Sequence, residues 1–98
     1  MFTMAMMDTQ KLIEICREND VTMVGVFGSV ARNEAHEQSD LDLLVHFSGR
    51  KTLLGMVKLE RELSTALGIR VDLVTENSIS PYLRKRILDD LRVIFDAR

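Results

Sequence analysis

Asp40 and Asp42 stand one residue apart where an apolar run begins, Leu41 to Phe47 (LDLLVHF), and Gly28-Ser29 closes another, Val21 to Phe27 (VTMVGVF). Ten residues separate Ser29 from Asp40. Carboxylates inside a buried strand are costly unless their charge is matched. Side chains alternate along a strand, so Asp40, Asp42, Leu44 and His46 point one way and Leu41, Leu43, Val45 and Phe47 the other, toward helices. A strand rise of about 3.3 Å per residue puts the two aspartate Cα atoms roughly 6.5 Å apart. At that spacing the carboxylates can lean together around one or two hard cations. Magnesium suits such oxygen ligands while keeping waters and substrate phosphates in its shell, and paired ions clamp a phosphoryl group in line. Asp72 adds a third acid inside another apolar strand (VDLV); it joins the cluster if that strand lies beside the second.

Gly28 and Ser29 supply the phosphate half of the same chemistry. A glycine at a turn lets the backbone approach a phosphate, and a following helix start offers free N–H groups. Ser29 adds a hydroxyl donor, and Arg32 can contact a phosphate oxygen or pair with Glu34. These parts describe a nucleoside triphosphate held by its tail, with magnesium on Asp40 and Asp42. Phosphoryl chemistry of this kind rests on positioning and charge neutralisation.

Each residue also has a plainer account. Asp40 can cap the strand entrance, Asp42 can pair with a lysine or arginine, Asp72 with Arg70, and Arg32 can form a surface ion pair. Gly28-Ser29 at the right distance weighs for the site over that account of Asp40 and Asp42. His36 lies in a polar loop and reads as solvated, His46 as a structural hydrogen-bonding residue, and Cys16 as core. Arg84-Lys85-Arg86 spans several helix faces, so a solvated surface is the default; an acidic partner or RNA is the other use.

The elements that must position these residues follow from periodicity. Leu12, Ile13, Ile15 and Cys16 mark a first helix over residues 8–19, capped by Asp8 or Thr9. A strand over 21–27 runs into Gly28, a short helix follows from Ser29 to about Ala35, and 33–39 reads as an exposed connection. The second strand covers 40–47. Thr52 caps a helix with apolar positions Leu53, Met56, Val57, Leu59, Leu63, Ala66 and Leu67, which stops at Gly68. A third strand covers 69–75. Ser80-Pro81 opens a last helix whose apolar face is Leu83, Ile87, Leu91, Ile94 and Phe95. The order αβαβαβα predicts an α/β fold, a short mixed β-sheet with helices packed against it.

The chain of 98 residues is one domain, 1–98, with a single modest core. With 46% hydrophobic and 29% charged residues it has the composition of a soluble globular protein. A net charge of −2 offers no broad basic field for a nucleic-acid backbone, so direct nucleic-acid binding is not expected. Its one cysteine excludes an internal disulfide and points to a reducing compartment. No signal-peptide pattern or membrane-length apolar run appears, so a cytoplasmic protein is expected.

The pattern of apolar strand, Gly-Ser, ten-residue gap and Asp-x-Asp resembles the DNA polymerase beta nucleotidyltransferase superfamily. The local reading GSVAR…SDLDLLV and the later VDLV resemble its minimal nucleotidyltransferase (MNT) branch, from about Val24 to the last helix. The resemblance implies the nucleotidyltransferase fold, magnesium held by Asp40, Asp42 and Asp72 as catalytic acids, and the triphosphate of ATP held by Gly28 and Ser29. It also implies an antitoxin that joins a cognate HEPN ribonuclease toxin in a hetero-oligomer and transfers AMP to a toxin tyrosine. The rival reading is a non-catalytic antitoxin that acts by complex formation alone. A nucleic-acid or small-molecule nucleotidyltransferase is a third, weakened by the missing basic surface and extra domains. One departure is Asn33, where relatives carry glycine; asparagine tolerates left-handed backbone, so the turn is expected to survive.

Overall fold

The central strand β1 (Val21–Phe27) is paired on both edges. In the computed structural model, which describes residues 4–36 and 39–98, the sheet order is β3-β2-β1-β4. β2 (Leu41–Phe47) runs antiparallel to β1, β3 (Val71–Thr75) runs parallel to β2, and β4 (Arg92–Asp96) runs antiparallel to β1. The sheet is mixed, as expected. Glu37 and Gln38 of the expected polar connection lie outside the described residues.

Alternation decides the two faces. Val24, Val26, Leu41, Leu43 and Val45 are buried on one face against Leu12 and Cys16 of α1 (Thr9–Glu18) and Leu59 and Leu63 of α3 (Leu53–Leu67). Asp8 caps α1, accepting from the Lys11 N–H at 3.1 Å. Thr52 caps α3, accepting from the Gly55 N–H at 3.0 Å, and Gly68 ends that helix in the left-handed conformation. Of the apolar face expected for α3, Leu53 and Val57 are exposed, as is Leu54 between them.

The other face carries Met23, Gly25 and Leu44, buried but outside the main core. Here the structure corrects the expectation of one last helix through Phe95. α4 (Pro81–Asp90) stops at Asp90, Leu91 turns the chain into extended backbone, and residues 92–96 form β4. The cause is physical. Asp89 and Asp90 sit unfavourably at a helix C-terminus, Val93 and Ile94 are β-branched, and the apolar β1 needs hydrogen-bond partners along its second edge. Leu91 then lies over β1, where a Cβ added to Gly25 would stand 2.7 Å from its Cδ1.

β3 is held from outside as well as by β2. Ser64 Oγ accepts from the Val71 N–H (2.9 Å), Glu60 Oε2 from the Leu73 N–H (3.1 Å) and Ser78 Oγ from the Thr75 N–H (3.1 Å). These side chains satisfy outward amides of an edge strand and anchor the strand that carries Asp72.

The contact between Gly25 and Leu91 is testable. Gly25→Ala should destabilise the protein by about 1–3 kcal/mol through overpacking, read as a lower urea midpoint. Adding Leu91→Ala should make the combined loss smaller than the sum of the two single losses.

Candidate active site

Pairing in the sheet brings the three acids to one end of one face. Phe27 of β1 stands opposite Asp42, and Asp42 of β2 is in register with Asp72 of β3. Neighbouring strands lie about 4.8 Å apart, so Asp42 and Asp72 are side by side and Asp40 follows two residues away on the same face. The N–H of Leu41, between the two β2 acids, donates to the Arg70 carbonyl at 2.8 Å, which locks the start of β2 to the start of β3.

Gly28 closes the site from the β1 side. Its φ of +76° is a left-handed conformation, and a Cβ built there would collide with the Asp42 carboxylate. The turn that sequence reasoning assigned to phosphate and the carboxylate assigned to metal are therefore in contact. Only a residue without a side chain leaves Asp42 its place. After it, α2 (Gly28–Ala31) is one turn long, shorter than expected, with Val30 and Ala31 buried in the core. No side chain caps its start, so the first amides of that turn have no intrahelical acceptor. Asn33 takes φ +60° and Glu34 donates its N–H to the Ser29 carbonyl at 2.8 Å, so the turn survives the departure from glycine.

Electrostatics mark Asp42 as the strained member. Its pKa is pushed up from 3.8 to about 6, first by burial, then by the charges of Asp72 and Asp40, while Arg32 pulls it back. A cation beside this carboxylate would reverse that rise. Among the described residues, no three His, Cys, Asp or Glu side chains close into a ready-made metal cage. Magnesium does not need one, since it binds through one or two carboxylates plus substrate phosphates and waters. Asp42, short of positive charge and flanked by Asp40 and Asp72, fits a hard divalent cation arriving with a phosphate chain.

Arg32 is drawn into a bridge that sequence reasoning found only in part. Its Nε donates to Glu34 Oε2 at 3.1 Å, and its Nη1 donates to Asp90 Oδ2 at 2.6 Å. Glu34 is local, but Asp90 lies 58 residues away on α4. In the sequence Asp90 is only one more acid on the last helix. Among the described residues His46 Nε2 has no hydrogen-bond partner, and the Glu76 carboxylate stands 3.8 Å away. Cys16 is core, as expected, and burial pushes its thiol up to about 12. Arg84 reaches Glu76 at 3.7 Å, and Arg84, Lys85 and Arg86 are exposed.

Comparison with known proteins agrees with this fold. The sequence model of the nucleotidyltransferase domain matches residues 9–94. Protein adenylyltransferase MntA of Thermococcus cleftensis is 44% identical over 71 residues, 72% of either chain. A relative from Methanocaldococcus jannaschii, named as an inferred protein adenylyltransferase, is 47% identical over 81 residues, 83% of this chain and 87% of its own. Among solved structures, one described as a minimal nucleotidyltransferase superposes with a TM-score of 0.75 at 43% identity over 86% of each chain. A toxin–antitoxin structure with AMP-PNP superposes with a TM-score of 0.81 at 25% identity over 93% of this chain and 75% of its own.

The raised pKa of Asp42 sets the pH dependence. Between about pH 4 and 6 the folded state keeps a proton that the unfolded chain has lost, so metal-free stability falls as pH rises through this window and levels off above it. The displacement would be worth about 3 kcal/mol in a dry site; solvent at this half-buried carboxylate reduces it to roughly 1 kcal/mol. Asp42→Asn should remove the slope and leave metal-free stability at pH 7.5 unchanged or higher by up to about 4–8 °C in Tm. Thermal unfolding across pH checks both; a clear fall in Tm for the variant would instead make Asp42 a structural cap.

Proposed function

The chain belongs to the nucleotidyltransferase domain family, and on that premise we propose that it is a magnesium-dependent protein adenylyltransferase of the antitoxin type. Its substrate is ATP, and the acceptor is a tyrosine of a cognate HEPN ribonuclease toxin bound as a hetero-oligomer. The observation that carries the reading is the contact of Gly28 with Asp42. It joins a phosphate-approaching turn to a carboxylate whose charge is disfavoured by burial and by two neighbouring acids. The likeness to an adenylyltransferase and to a toxin–antitoxin structure with AMP-PNP supports the choice of ATP and of a protein acceptor.

In this reading Gly28, Ser29 and the adjacent amides hold the β- and γ-phosphates, and Arg32 adds a cation beside them. Asp40 and Asp42 hold magnesium, which when bound neutralises charge on the α-phosphate and the departing pyrophosphate. The tyrosine oxygen attacks the α-phosphorus, the bond from the α-phosphorus to the bridging oxygen of the β-phosphate breaks, and pyrophosphate leaves. Asp72, the exposed member of the cluster, takes the hydroxyl proton or completes the metal shell. Blocking that tyrosine is the route by which the toxin is neutralised. Dependence on ATP and on a ribonuclease partner places the reaction in the cytoplasm. Among the described residues no helix is long and apolar enough to cross a membrane.

The test is transfer itself. Incubated with α-labelled ATP, magnesium and the cognate toxin, the protein should label a toxin tyrosine, and Asp42→Asn should lower the rate by at least about 100-fold. Absence of label, or neutralisation that persists unchanged in the Asp42→Asn protein, would mean that complex formation alone does the work.

A further inference from the structure

Asp90 occupies a position that its own helix disfavours. It is the last residue of α4, where the backbone carbonyls already concentrate negative charge, and no basic residue shares that last turn. Its carboxylate is only 18% exposed. What it gains there is Arg32, whose Nη1 donates to it at 2.6 Å. Glu34 takes Nε of the same guanidinium from another side. Among the described residues, two of the three nitrogens are thus occupied and Nη2 is left over. Arg32 is also close enough to Asp42 to oppose the rise of its pKa.

We propose that Asp90 is a positioning residue for the nucleotide: with Glu34 it grips the Arg32 guanidinium and leaves its remaining donors for a phosphate oxygen of the triphosphate. This rests on the reading of Arg32 as a phosphate contact. A free arginine loses rotamer entropy when it closes on a ligand, and one already held loses less, so affinity rises without any new ligand contact. The planar fork of arginine suits this division, because different edges bind different oxygens at once. The bridge also ties α4, and through it β4, to the turn that begins at Gly28.

Calorimetric titration with a non-hydrolysable ATP analogue and magnesium tests the proposal without needing an acceptor, with thermal unfolding run beside it. Arg32→Ala should weaken binding by about tenfold or more. Asp90→Asn should weaken it by about three- to tenfold, Asp90→Glu should stay close to the unaltered protein, and Arg32→Ala/Asp90→Asn should bind no worse than Arg32→Ala alone. Arg32→Lys keeps the charge but loses the two-sided grip, so it should resemble Asp90→Asn and carries the test if that variant fails to fold. Unchanged or tighter binding by Asp90→Asn, or additive losses in the double variant, overturns the role of Asp90 and leaves the phosphate contact standing. Unchanged binding by Arg32→Ala overturns the phosphate contact itself, and the role of Asp90 with it.

Discussion

Repulsion among three carboxylates on adjacent strands is the constraint around which this small fold is arranged. Asp42 is surrounded by Asp40 and Asp72 and partly withdrawn from water, which is why its proton is held to about pH 6. Left to relax, the acids would move apart, and the backbone prevents it. Leu41 and Leu43, both fully buried, pin the face of β2, since a slip of one residue would send them to the opposite side of the sheet. The Arg70 carbonyl, Ser64 and Glu60 hold β3 in register beside them. Gly28 removes the one side chain that would push Asp42 away.

Much of this was legible because the relevant signals are local or periodic. The Asp8 and Thr52 caps, the Gly68 stop and the alternating face of β2 each depend on residues within a few positions of one another. The juxtaposition at the candidate site was legible for a related reason: Gly28, Ser29, Asp40 and Asp42 lie at the facing ends of two consecutive strands joined by one connection. Asp72 required a guess about strand order, and the parallel pairing of β2 with β3 supplied it.

What could not be read depends on contacts distant in the chain. Residues 91–95 (LRVIF) have apolar positions that fit a helix or a strand equally well, and only the open edge of β1 decides between them. Leu53 and Val57 obey helical spacing and are nevertheless exposed. Asp90 looks like one more acid on a charged helix until α4 packs near α2 and Arg32 reaches it.

These long-range contacts also explain how a chain of 98 residues tolerates an unfavourable site. The charge cluster weakens the ligand-free fold, while the second face, with Leu91 over Gly25 and β4 closing the edge of β1, adds burial that the acids do not disturb. The proposed ligand, supplying positive charge and phosphate, would bind only the folded arrangement and return stability that grows with the logarithm of its concentration over its dissociation constant. Removing the acids would make the protein easier to fold and leave it without that response. On the proposed reading, the cost of clustering the acids in the ligand-free fold is what would couple stability to the ligand.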